Sequence, residues 1–465
     1  STSDCDFGSR MLTFAAMNAA GELKTGYAYL LRMAIPISLG TLLQFFVLLT
    51  DNFFLARLSE DAINGAGNAG LVYLTLEMIA VGSGAALQIV IARRMGEGNR
   101  DEALKTFRTG LLLHAGMGIF LTGLGLLLNT GIINSAIADP AIRAVFTDFF
   151  AIRLLGFIPF TALLAFNALY TGTAKTWPIL IIGACSAGAN IALDAAWVEG
   201  WWGVEAIGAS GAAWASFCSE SIGFVIALLL TVRLMPEALR PWSVLAMDDL
   251  KAWWKLAYPL MGQFLTTIST WTAFFFFVEK VGGMELKVSH VARNFFMLAF
   301  IVTQGMQQTT RTYVSGLLGA QRGGELDLTL RRLTTLNLAG ILLLCHGYIL
   351  YPNALASVFF EDAVGREAMV RTLHLLFIAV STYAFTGIML STIQGCGATK
   401  VAFRVELIAV TVYMVVATSL TLIWPQPIWV IWRVELAYFS TIGLGSWLYL
   451  RKGIWRTANQ PAKST

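Results

Sequence analysis

Apolar runs long enough to cross a bilayer follow one another from about residue 28 to residue 450. A spanning helix needs about 20 mostly apolar residues. The chain supplies twelve such segments, near 28–57, 65–92, 107–128, 145–171, 177–198, 206–232, 252–279, 288–316, 333–351, 369–394, 401–424 and 428–450. In lipid every backbone polar group must find its partner inside the protein, so segments of this length are helices. The expected fold class is an all-α integral membrane protein with twelve transmembrane helices. Composition agrees: of 465 residues, 57% are hydrophobic and 13% charged, against about 25% charged in a soluble domain. The longest polar connection, 233–251, is too short for a soluble domain. The net charge of +4 lies mostly in loops, which points to membrane orientation and away from nucleic acid.

Lysine and arginine in short loops set that orientation. With the N-terminus inside, the inner loops hold Arg93, Arg94, Arg100, Lys251, Arg331 and Arg332 among others, and the C-terminal tail adds Arg451, Lys452, Arg456 and Lys463. The outer loops hold fewer: Arg57, Arg143, Lys280, Lys287 and Arg366. Both termini are therefore expected in the cytoplasm, in a multi-pass protein of the cell (inner) membrane. The opening residues, STSDCDFGSR, show no secretory-signal pattern. Cys185, Cys218, Cys345 and Cys396 have no spacing of a zinc site or disulfide framework and read as small buried apolar residues.

The chain repeats itself. LRMAIPISLG from Leu31 resembles WKLAYPLMGQ from Trp254, and Pro36 and Pro259 are 223 residues apart (259 − 36). The same offset aligns Gly96 with Gly319, Glu102 with Glu325, and Gly172 with Gly395. Two six-helix bundles follow, 28–232 and 252–450, joined by a cytoplasmic linker at 233–251. Six is even, so the halves have the same orientation. They are expected to be related by a pseudo-twofold axis along the membrane normal, around a cavity. Pro36 sits early in the first helix of its half, where it removes a backbone donor. It is a candidate hinge; a static bend is the other reading.

Acids inside a membrane span cost about 2.5–3.5 kcal/mol on insertion scales, so they face a cavity or a partner. Asp51 ends a long first segment and, read alone, could instead reach the outer interface near Arg57. Asp194 lies late in the fifth helix, which runs in the same direction, so the two acids share a depth. Asn190 is one turn before Asp194 on the same face, and Gln44 is seven residues before Asp51. Carboxylates and amide oxygens suit a proton or a hard cation, which makes Asp51, Asn190 and Asp194 a candidate sodium site. The repeat offset carries Gln44, Asp51, Asn190 and Asp194 to Thr267, Phe274, Tyr413 and Ala417. The scaffold repeats and these acids do not, so the pocket belongs to the first half. Glu77 and Glu220, deep in helices two and six, either line a substrate cavity or pair with a hydroxyl or with an arginine such as Arg153.

No phosphate-binding loop is present, and His114, His290, His346 and His374 have no ligand spacing. No catalytic constellation suggests an enzyme. A channel would repeat its polar ring in both halves, which this chain does not.

Taken together, the AIP turn at Pro36, TDNFFLARL at 50–58, RRMGEGN after helix two, NIALD at 190–194 and GASGAAWAS at 208–216 resemble the multidrug and toxic compound extrusion (MATE) transporters. The resemblance runs from about Leu31 to Arg451. It implies two six-helix bundles around a cleft, and export of amphipathic, often cationic, organic compounds in antiport with protons or sodium ions. It places Asp51, Asn190, Asp194 and Ser216 in an ion-coupling site of the first bundle, with Ser216 where the family usually has threonine. Gln44 matches a residue of the same cavity. Helices seven and ten carry no acid in their cores, which departs from the branch with an ion site in the second bundle. The competing reading is a lipid-linked oligosaccharide flippase of the same superfamily, which twelve helices and an acidic pocket disfavour. The expected partners are small organic substrates, the coupling ion and membrane lipid. No cofactor beyond a transported proton or sodium ion is expected, and the chain is expected to be a monomer.

Overall fold

The computed structural model describes residues 23–129, 137, 139–240 and 247–456. The opening STSDCDFGSR, part of the 233–251 linker and Lys463 lie outside the described residues. The first half contains α1 (Tyr27–Leu58), α2 (Glu60–Gly96), α3 (Arg100–Leu128), α4 (Pro140–Leu155), α5 (Phe157–Gly172), α6 (Trp177–Glu199) and α7 (Ala209–Leu234). The second contains α8 (Met247–Glu279), α9 (Gly283–Gly319), α10 (Leu326–Cys345), α11 (Ala363–Gly395), α12 (Thr399–Thr418) and α13 (Arg433–Leu450). Helices α4 and α5 are one bent span, and α13 is the twelfth. Among the described residues ten helices, or eleven spans with the bent pair counted once, are long and apolar enough to cross a membrane. The 18-residue α13 is more polar because it opens on Arg433 and Glu435. The architecture is the all-α, twelve-helix fold expected from the apolar pattern, in two six-helix bundles.

The bend has a covalent cause. Pro159 has no N–H to give to Leu155, and its ring crowds that carbonyl, so the helix breaks at Gly156 and turns by 44°. A Cβ on Gly156 would sit 2.4 Å from Glu220 Oε2 and 2.8 Å from Arg153 Nη1. The corner is thus filled by charged side chains. Asp139 caps α4, accepting from Ala141 N at 2.8 Å, with Pro140 at the first helical position. Helix α6 ends at Gly200, whose φ of +77° is the left-handed cap that glycine adopts without strain.

The chain divides into two compact units. Of the described residues, one unit comprises those within Leu39–Arg94 and Asn99–Ala257; the other comprises those up to Ser38, Met95–Gly98 and those from Tyr258 to Arg456. The boundaries fall inside α1, two residues after Pro36, and inside α8, just before Pro259. Each proline-bearing helix therefore contributes to both units. In the first unit, Ala62, Ala66 and Ala69 of α2 pack with Phe146, Phe149 and Phe150 of α4. Small residues let helices approach closely where lipid supplies no hydrophobic drive. The second unit has an aromatic core that includes Phe274, Phe296, Tyr413, Trp432 and Phe439.

Candidate functional site

Asp51 on α1, Asn190 and Asp194 on α6 and Ser216 on α7 converge inside the first unit. The Asp51 carboxylate lies against the side chains of Asp194, Asn190 and Ser216. Asn190 and Asp194 are fully buried and Ser216 is 6% exposed. An ion pair between Arg57 and Glu199, at 3.0 Å, ties the end of α1 to the end of α6. Counting back six residues to Asp51 and five to Asp194, at 1.5 Å per residue, sets the acids about 9 and 8 Å below that clasp. Their equal depth thus follows from helix geometry. Arg57 is engaged with Glu199, so it is not the partner that would make Asp51 a surface acid.

The cluster is under-satisfied. Both Asp194 oxygens, both Asn190 amide atoms and Asp51 Oδ1 are buried with no partner at hydrogen-bond geometry. Buried polar groups are otherwise almost always paired, and two carboxylates in contact repel. Such a set of carboxylate and amide oxygens could take up a proton or a small hard cation.

One step away a second charged group surrounds Arg153. Its Nη2 lies 2.8 Å from Glu220 Oε1. Its guanidinium rests 4.0 Å from the Tyr73 ring centroid, and Tyr73 stacks on Phe157 at 4.2 Å. The stack fixes the cation where the fourth span bends. Arg153 also acts electrostatically on Asp51 and Glu77. Of the two readings the sequence left for Glu220, the structure displays the arginine pair. Glu77, on α2, feels the field of the same guanidinium.

The family model MatE matches the chain twice, at residues 36–196 and 259–418, beginning at each of the repeated prolines. The chain belongs to the MatE family. Among curated relatives, a probable multidrug resistance protein NorM of Pseudomonas putida is 24% identical over 400 residues, covering 82% of this chain and 84% of the relative. The same-named protein of Pseudomonas aeruginosa is 25% identical over 412 residues, covering 81% and 79%. Among solved structures, a MOP superfamily transporter from Pyrococcus furiosus, described as having a binding pocket of reverse polarity, superposes with a TM-score of 0.85 at 18% identity. That match covers 96% of this chain and all of the other. A MATE protein in its straight conformation gives a TM-score of 0.83 at 18% identity over 95% of this chain and all of the other. These likenesses show the two-bundle membrane fold.

The remaining sequence candidates of this MatE chain fall as follows. Gln44 is exposed on α1, two turns before Asp51. Pro36 lies within α1, which runs unbroken through it. His114 is a packing residue: its Nδ1 faces Gly110 O at 2.7 Å and its Nε2 faces Ser83 Oγ at 3.1 Å. None of the four described cysteines is in a disulfide, and Cys185 is exposed where burial was expected. Its flank of α6 points outward while the opposite face carries Asn190.

Sequence reasoning passed over two buried acids in the second half, Glu406 on α12 and Glu435 on α13, 1% and 2% exposed. Glu406 accepts from Gln263 Nε2 at 3.3 Å, Thr267 Oγ1 at 2.6 Å and Tyr438 OH. Glu435 accepts from Tyr413 OH at 3.0 Å. Tyr413 is the residue that the repeat aligns with Asn190. Buried carboxylates therefore occur in both halves, but at positions the offset does not relate. The signal was available as single glutamates inside the apolar runs VAFRVELIAV and IWRVELAYF.

Proposed function

We propose that this MatE protein is a multidrug efflux transporter that exports amphipathic, often cationic, organic compounds in antiport with protons or sodium ions, by alternating access. The observation that carries the reading is the buried, under-satisfied cluster of Asp51, Asn190, Asp194 and Ser216. Such a cluster holds a proton, a sodium ion or a cationic group of the substrate, and these exclude one another electrostatically. Competition for one set of carboxylates is the basis of antiport. The multidrug-resistance names of the curated relatives support the substrate class. No catalytic role is assigned to any residue.

In this reading Glu77 and Glu220 line the path of the organic cation, with Arg153 holding Glu220 in place, and Gln44 offers an amide on the same helix as Asp51. The bundles are 28–232 and 252–450, with 233–251 as the cytoplasmic linker and both termini inside the inner membrane. Pro36 is the hinge at which the now continuous α1 would bend during the cycle, and the change of unit two residues beyond it supports that role. The working unit is a monomer. The test is ethidium accumulation in cells expressing the protein, run under separately imposed proton and sodium gradients. Lower accumulation driven by either gradient supports the reading. Accumulation equal to that of empty cells under both contradicts it.

A further inference from the structure

A row of side chains crosses the second unit with all its hydrogen bonds pointing one way. Arg311 Nη1 on α9 donates to Gln394 Oε1 on α11 at 3.2 Å. Gln394 Nε2 donates to Gln263 Oε1 on α8 at 3.0 Å, and Gln263 Nε2 donates to Glu406 on α12. The direction is forced, because arginine only donates and a carboxylate only accepts. The two ends are unequal. Glu406 is saturated, with Thr267 and Tyr438 donating as well. At the other end Arg311 is 5% exposed, and its Nε is buried with no acceptor.

The shortage extends beyond Arg311. Gln307, one turn earlier on the same face of α9, is 8% exposed, and its Nε2 also has no acceptor at hydrogen-bond geometry. It faces the Tyr383 ring system on α11, and Tyr383 in turn acts electrostatically on Arg311. Thr386, three residues beyond Tyr383, has a buried hydroxyl without a partner. Gly387 lets Gln307 approach α11 closely: a Cβ there would lie 2.4 Å from Gln307 Nε2 and 3.2 Å from Tyr383 Cε2. Arg311 lies eight residues, about 12 Å, before the end of α9, level with the last turn of α11 that carries Gln394.

We propose that Arg311, Gln307 and Tyr383 form a binding slot for the carboxylate group of a small organic anion. Arg311 Nε and Gln307 Nε2 are buried there without acceptors, and a guanidinium presents its fork best to a carboxylate. The repeat strengthens the assignment. Its offset carries Arg311, Gln307 and Tyr383 back to Gln88, Gly84 and Phe160, so the first half lacks this slot just as the second lacks Asp51 and Asp194. The protein thus carries an acid cluster in one unit and a donor cluster in the other. Compounds bearing a carboxylate join its ligands.

The test is equilibrium binding of radiolabelled benzoate to the purified full-length protein in detergent, with radiolabelled tetraphenylphosphonium as the cationic control. Wild type is expected to bind benzoate saturably. Arg311→Gln should weaken that binding by at least about tenfold, the loss of one charge-assisted pair, and leave tetraphenylphosphonium binding unchanged. Gln307→Leu and Tyr383→Phe should each weaken benzoate by about threefold, one neutral hydrogen bond; they carry the test should Arg311→Gln fail to fold. Asp51→Asn should leave benzoate binding intact. Absence of saturable benzoate binding in wild type overturns the proposal, as does wild-type affinity in the slot variants. Displacement of benzoate by phosphatidylglycerol but not phosphatidylcholine would assign the slot to lipid headgroups and overturn the solute assignment.

Discussion

Arg153 reaches Glu220 at 2.8 Å across the corner where the fourth span bends, each side chain 16% exposed. Breaking a fully buried pair costs about 3–5 kcal/mol because the surviving charge is stranded. The residual exposure here lowers that to about 2 kcal/mol. Glu220→Gln is therefore expected to lower the unfolding midpoint in detergent clearly. The double variant Arg153→Gln/Glu220→Gln should recover most of the loss, since neither charge is then left alone. Additive losses in the double variant would show that the pair is not coupled.

Glycine 118 faces a neighbour that cannot yield. A Cβ there would lie 2.6 Å from Thr161 Oγ1 and 2.7 Å from Phe157 O, and the latter is backbone. Gly123, five residues further along α3, has nothing within 4 Å. Gly118→Ala should cost about 1–3 kcal/mol through overpacking. Gly123→Ala should be neutral or slightly stabilising, because alanine is the better helix former by about 1 kcal/mol. Thermal unfolding of the two variants side by side checks both; equal midpoints would show that α3 and α5 are not packed this closely.

Glu237 lies outside the spans, in the turn after α7, and pairs with Arg100 at the start of α3. Burial pushes its pKa up, but bonds to its own backbone and to Arg100 outweigh that and hold it below its ordinary value of 4.5. An acid with a depressed folded-state pKa stabilises at pH above its unfolded value and loses that contribution as pH falls through the folded one. The pair is partly exposed, at 50% and 27%, so it is worth at most about 1 kcal/mol. Glu237→Gln should lower stability by no more than that at pH 7, and the difference from wild type should close as the pH is taken below 4.5. A difference that persists in acid would show that something other than this charge is at work.

The sequence was legible where periodicity and depth decide. Twelve apolar runs gave the helices. The offset between Pro36 and Pro259 gave the repeat, and the shared direction of helices one and five brought Asp51 and Asp194 level. The rest depends on which face of a helix meets which neighbour, and apolar runs carry no amphipathic stripe to show it. Arg153 was visible as a candidate partner, but its stack on Tyr73 needed the Pro159 bend. Glu406 and Glu435 were obscured because the offset carries them to Gly183 and Ala212, so a comparison built on matching positions passed over them. Arg311 stands in a segment rich in glutamine and threonine, where a buried charge looks like a helix approaching its end.

The central claim is that the carboxylates on α1 and α6 carry the coupling. The most direct measurement is ethidium transport into inverted membrane vesicles containing Asp51→Asn, driven in turn by imposed proton and sodium gradients. The variant should reach the membrane at wild-type level and unfold at a similar temperature, because asparagine keeps the shape and removes one of two repelling charges. Gradient-driven transport should fall to the level of empty vesicles under both gradients. Transport by Asp51→Asn at the wild-type rate under either gradient would contradict the account.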